Sequence, residues 1–105
     1  DLQFNEESDD VYNGVWATSL VFGESHNLNK KEIIRKLSEL SVPSRPFFYP
    51  LSSLPAYKSY QKGSTSENPI AYDISNRGIT LPADYSLTED QIDFVCNGIK
   101  QILNK

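Results

Sequence analysis

The sequence predicts an α+β fold: a small three-stranded sheet, antiparallel or mixed, with helices packed on one side. Three observations carry this expectation. Apolar residues alternate with period two up to Phe22 and return in short extended runs at Ser44 to Tyr49 and Ile79 to Leu81. Three stretches of helical spacing separate and follow these runs, each opened by a capping signal. The 105 residues, 38% of them apolar, suffice for one modest core and no more.

Taken in order, Asp1 to Asp10 holds five acidic residues and few apolar ones. It reads as a lead-in from an upstream region (residues 1–10), with the domain proper at 11–105. The chain has no methionine, so Asp1 is not expected to be a natural start. Val11 to Phe22 reads as the first strand, with Val15, Ala17, Ser19 and Val21 on one face and Trp16, Thr18, Leu20 and Phe22 on the other. Both faces are largely apolar, which predicts cover on both sides. Gly23 to Asn27 turns the chain. Asn29-Lys30-Lys31-Glu32 has capping-box spacing and opens a helix that runs to about Leu40. Its buried stripe is Ile33, Ile34, Leu37 and Leu40, with Lys30, Lys31, Arg35 and Lys36 expected in water.

Pro43 stops that helix, and a short second strand covers Ser44 to Tyr49. Lys58 to Glu67 is polar, includes Gly63-Ser64-Thr65-Ser66, and reads as a mobile loop by composition. Asn68-Pro69 opens a second helix, with Asn as N-cap and Pro at the first helical position. Gly78 is expected at its C′ position. Ile79 to Leu81 forms the third strand, ended by Pro82. Ser86-Leu87-Thr88-Glu89 is a capping box for the last helix, and Asp90 adds negative charge to its start. Ile92, Val95, Ile99, Ile102 and Leu103 recur at helical spacing as its core face, with Cys96 packed as a small hydrophobe.

Composition excludes several function classes. A net charge of −4 argues against nucleic acid or an anionic membrane as main partner. No apolar run approaches the roughly 20 residues needed to span a bilayer, and no signal-peptide pattern opens the chain. Cys96 is the single cysteine and cannot close an internal disulfide, which suits a cytoplasmic setting. His26 has no second ligand at metal spacing. Ser52 and Ser53 have neither a neighbouring histidine nor a nucleophile-elbow motif. No glycine-rich phosphate cradle is present, so nothing completes a catalytic set. The chain is expected to hold part of a site whose remainder lies elsewhere.

The candidate part is Ser44 to Tyr57, which gathers Phe47, Phe48, Tyr49 and Tyr57 with Arg45 and the prolines 46, 50 and 55. Proline fixes φ and removes a donor, so this is a short extended segment running into a rigid loop. Arg45 suits a phosphate or carboxylate as a planar fork; an ordinary surface arginine is the competing reading. Phe47, Phe48 and Tyr49 alternate across a strand, one face for the core and the other free to line a pocket. Tyr57 and Tyr60 are further candidates on the loop, with plain packing as the alternative for each.

Arg45-Pro46-Phe47-Phe48-Tyr49-Pro50-Leu51 followed by Leu54-Pro55-Ala56-Tyr57 resembles the small-domain signature of the DegT/DnrJ/StrS family of pyridoxal-phosphate-dependent sugar aminotransferases, in its perosamine-synthase-like form. Trp16 in the first strand, Arg77-Gly78-Ile79-Thr80-Leu81-Pro82, and Leu87-Thr88-Glu89-Asp90-Gln91-Ile92 extend the resemblance over about residues 11 to 103. It implies the C-terminal domain of a fold-type-I aminotransferase. The whole enzyme would pass an amino group, usually from glutamate, to a keto sugar nucleotide. It would carry pyridoxal phosphate, work as a homodimer and keep its Schiff-base lysine in a large domain absent from this chain. No lysine here matches that context, so the domain alone is expected to bind no cofactor and to be inactive. The resemblance points to Arg45, Phe47, Tyr49, Ser52 and Tyr57 as substrate-binding residues, and Ser52 stands where the family usually has histidine. The alternative is a stand-alone binding module that uses the same proline-aromatic loop.

Overall fold

The computed structural model describes residues 1–60 and 67–103; of the mobile loop expected at Lys58 to Glu67, residues 61–66 lie outside them, and its first three residues belong to the helical turn Pro55–Tyr60. Four strands form one sheet: β1 (Leu2–Phe4), β2 (Thr18–Phe22), β3 (Arg45–Pro46) and β4 (Gly78–Leu81). Their order is β1-β2-β4-β3, and every pairing is antiparallel. Three helices, α1 (Lys30–Glu39), α2 (Pro69–Arg77) and α3 (Glu89–Leu103), complete the α+β architecture.

The sheet has one strand more than the expected three. Leu2 to Phe4 pairs with Phe22 to Leu20, and Asn5 carries the pairing one step further through its side chain. β2 is shorter than the alternation from Val11 implies. Its last partner on β4 is Leu81, opposite Thr18, and Pro82 beyond it has no N–H to offer. Before Thr18 the chain turns at Val15, whose φ is 36°. Trp16 therefore precedes the strand and is exposed. β3 likewise shrinks to two residues, because Pro46 cannot donate and β4 gives way to α2 at Gly78.

Residues paired across the ladder share a face. The register Leu20↔Ile79, with Leu2↔Phe22 and Thr18↔Leu81, sets Leu20, Phe22, Ile79 and Leu81 on one side. All four are buried against Ile33 and Leu37 of α1, Val42, and Ile99 and Ile102 of α3. The other side carries Gln3, Ser19, Val21, Arg45 and Thr80, all half-buried or exposed. The expected cover on both faces is thus found on one.

The helix ends follow local chemistry. Asn29 and Glu32 form the predicted reciprocal box at the start of α1. At its end Val42 N–H bonds to Leu37 and Ser41 N–H to Ser38, with Ser41 at φ 60°. This is a Schellman ending with serine in the left-handed place that glycine usually takes. For α3 the box is Thr88 with Gln91, two residues later than expected. Ser86 is instead drawn to the Asp84 carboxylate, which accepts from its N–H and hydroxyl.

Gly78 is not a left-handed C′ residue but extended, at φ −97° and ψ 143°, and it opens β4 directly. It is glycine for space: a Cβ there would meet the Ile74 carbonyl at 2.7 Å and the Phe47 Cβ at 2.9 Å. Arg77 locks the same corner. Its guanidinium forks onto Asp73 and donates to the Phe22 carbonyl at the end of β2. In α3, Ile92 and Cys96 are exposed rather than packed, while Val95, Ile99, Ile102 and Leu103 meet the core as expected.

Candidate functional site

The proline-aromatic segment starts on the open face. β3 is an edge strand, so its side chains alternate between the covered core and the uncovered side. Pro46 lies opposite Ile79 on the core side, and Arg45 lies opposite Thr80 on the open side. Arg45 lines an open groove of about 480 Å³ with Trp16, Ser44, Thr80, Pro82 and Asp84. It makes no ion pair among the described residues. The Ser44 hydroxyl is buried beside it without a hydrogen-bond partner. Asp84 is held ionised: hydrogen bonds from the Ser86 hydroxyl and N–H keep its pKa below the usual carboxylate value.

Aromatic rings extend this surface. Trp16 meets Phe48 edge-on at 6.0 Å between centroids, and Phe48 meets Phe47 at 5.9 Å. Phe47 is half-buried, with its N–H bonded to the Gly78 carbonyl. Trp16 and Phe48 are both largely exposed, at 72% and 65%. Two large rings meeting edge to face in water form an exposed apolar patch.

From Phe48 the chain crosses to the helix side. The Tyr49 ring lies over the Lys30 ammonium, 3.8 Å from nitrogen to centroid. Lys30 Nζ donates to Ser75 Oγ of α2 at 3.0 Å. The lysine is only 7% exposed. Its pKa is lowered, first by burial and then by the charge of Lys31. Tyr49, Lys31, Pro50, Tyr72 and Asn76 line a second open groove of about 630 Å³. Ser52 Oγ lies 3.1 Å from the Tyr72 hydroxyl. The Ser53 hydroxyl donates to the Pro50 carbonyl at 2.7 Å and closes the turn Leu51–Ser53. Tyr57 is about half exposed on the following turn, Pro55–Tyr60.

The five sequence candidates therefore occupy one continuous segment but not one pocket. Arg45 and Phe47 belong to the open sheet face, while Tyr49 lines the groove against α1 and α2 and Ser52 touches that groove through the Tyr72 hydroxyl. The Tyr60 side chain lies outside the described residues. Sequence reading missed Lys30, Tyr72 and Ser75. Lys30 was expected in water, yet its spacing from Ile33, Ile34 and Leu37 sets it on the buried stripe of α1. That spacing was a usable signal. Tyr72 and Ser75 carried none, because their partners are distant in sequence.

Residues 1–100 match the DegT/DnrJ/EryC1/StrS aminotransferase family, and the chain belongs to it. The GDP-perosamine synthase of Vibrio cholerae is 31% identical over 103 residues, which is 98% of this chain and 28% of that protein. The GDP-perosamine synthase of Escherichia coli O157:H7 is 33% identical over 101 residues, or 95% of this chain and 26% of that protein. Among solved structures, a Streptococcus pneumoniae protein named as a sugar aminotransferase, in its PMP form, superposes with a TM-score of 0.67 at 25% identity. That match covers 83% of this chain and 22% of the other. The chain thus spans about a quarter of the length of the relatives it matches.

Proposed function

We propose that this chain is the C-terminal domain of a pyridoxal-phosphate-dependent aminotransferase that moves an amino group, from glutamate, onto a keto sugar nucleotide. The observation that carries the reading is the family match across residues 1–100, with relatives named GDP-perosamine synthase aligned over nearly all of this chain. In this reading the cofactor and its Schiff-base lysine belong to the part of the enzyme beyond these residues, and the working unit is a cytoplasmic homodimer. On this reading no lysine of residues 1–105 carries the cofactor and the domain alone is inactive; the buried Lys30 amine is engaged by Ser75 and the Tyr49 ring. Pyridoxal phosphate, held elsewhere, acts as the electron sink of the reaction.

The work of this domain is then to bind and orient. Arg45, without an ion pair among the described residues, offers a fork to a charged group of the substrate or cofactor. Phe47, Tyr49 and Tyr57 supply ring faces against which a sugar packs. Ser52, in place of the family's usual histidine, offers a smaller hydroxyl already shared with Tyr72. The exposed Trp16–Phe48 pair is apolar surface for the large domain to cover.

The test is the full gene product, purified with pyridoxal phosphate. Expected is a visible cofactor absorbance band that glutamate abolishes and a keto sugar nucleotide restores, with no band from residues 1–105 alone. A full-length product that takes up no cofactor would sink the reading. Alanine at Arg45, Tyr49 and Tyr57 should each lower kcat/KM for the sugar nucleotide; unchanged values at all three would remove this segment from the site.

A further inference from the structure

Lys30 presents a physical puzzle. Its ammonium is buried, yet the groups around it are neutral: a serine hydroxyl at 3.0 Å and a tyrosine ring at 3.8 Å. Of the acidic residues that share a groove with it, Asp73 is paired with Arg77 and Glu39 with Arg35. Lys31, on the same helix, adds like charge. Burying an ammonium without a counter-ion costs stability. A methionine of similar length would fill the same space at lower cost. What the charge supplies is direction. A cation is drawn to the face of an aromatic ring and not to its edge, so it selects one placement of Tyr49.

That placement has consequences along the chain. Beyond the β3 ladder, the segment from Arg45 to Ser52 is held at Phe47, Tyr49 and Ser52. Phe47 N–H is bonded to Gly78 of β4, Tyr49 sits on Lys30, and Ser52 meets Tyr72 of α2. The first and last are hydrogen bonds to neighbouring elements. The middle one is where the chain passes from the open sheet face to the helix side, and Tyr49 is 54% exposed there. Without Lys30, nothing among the described residues would hold that ring by a directional contact.

We propose that Lys30 is a positioning residue: held by Ser75, its ammonium grips the ring of Tyr49 and so sets the pose of the segment Arg45 to Tyr57 toward the sugar nucleotide. The grip itself is read from geometry; its effect on substrate rests on the reading in the preceding subsection.

Two measurements on the full gene product separate these layers. The first is competitive acylation of lysines with acetic anhydride, followed by mass spectrometry. Lys30 should react at least about tenfold more slowly than Lys31, Tyr49→Phe should leave that protection in place, and Tyr49→Leu should remove most of it. The second is steady-state kinetics with thermal unfolding. Lys30→Met should raise KM for the keto sugar nucleotide by about tenfold with kcat within about threefold, leave Tm unchanged or higher, and be rescued by Lys30→Arg. Lys30 acylated as fast as Lys31 overturns the grip whatever the kinetics. A normal KM in Lys30→Met, while Tyr49→Ala raises it, overturns the positioning role and leaves the functional reading standing. Normal KM in both variants, with Lys30 protected, removes the segment from the substrate site and the proposal with it. A fall in Tm with equal losses in kcat and kcat/KM marks Lys30 as an ordinary structural residue and overturns the proposal as well.

Discussion

The two faces of the sheet are made by the same strands and reach opposite ends. On β2, Leu20 and Phe22 are sealed under helices while the alternating Ser19 and Val21 stay half-open. On β4, Ile79 and Leu81 are buried while Thr80 borders the Arg45 groove. One face holds the fold together and the other is left open. The contrast shows how a domain of this size can divide its labour: period-two alternation lets each strand serve both ends at once. The covered face is therefore expected to carry the stability, and the open face the recognition.

The sharpest way to break this comparison is truncation on each side of one strand. Phe22→Ala should cost about 4 kcal/mol, and its neighbour Val21→Ala about 1 kcal/mol or less, in urea unfolding. Comparable losses would mean that the open face is structural too. Gly78→Ala tests the hinge between the faces. The new methyl would push on a backbone carbonyl and on Phe47, so a loss of about 2–3 kcal/mol is expected, with Phe47 and β3 displaced in the amide spectrum. Arg77→Ala removes the tie from α2 to the end of β2 and should cost about 2 kcal/mol, read by the same unfolding curve.

The Arg77 tie also predicts an acid limb. The hydrogen bond from Arg77, with its charge, holds the Asp73 carboxyl below its ordinary pKa. A depressed carboxylate contributes stability that is present above the unfolded value near 3.8 and is lost as pH falls through the lowered folded value. Stability should therefore decline below about pH 4, and Asp73→Asn should flatten that decline. The effect is modest because Asp73 is partly exposed. The smallest change runs the other way. Ser41→Gly relieves a left-handed serine at the end of α1 and should add about 0.5–1 kcal/mol. No gain there would mean the Schellman ending carries no strain.

Much of this was legible in the residues. The Asn29–Glu32 box, Pro69 at the start of α2, and the stripe through Ile33 and Leu37 are local patterns, and each lies where its chemistry predicts. The family signature was legible for a related reason, being a fixed order of local motifs. Errors cluster where two distant segments must agree. β2 and β3 came out short because their ladder partners stop at Pro82 and Gly78. Leu2 to Phe4 became a strand only because β2 offered it a free edge. Cys96 and Ile92 have core spacing, yet both are exposed.

The sequence by itself determined the element types, their order and the rigid proline-aromatic segment, because φ restriction, capping and periodicity act within a few residues. Only the tertiary structure decided which sheet face is covered, where each strand stops and how Arg45 and Tyr49 part to different grooves. It alone laid Lys30 beneath Tyr49 against Ser75, a residue 45 positions away in the chain. Burial and ion pairing are properties of neighbours in space, and a linear pattern does not name those neighbours.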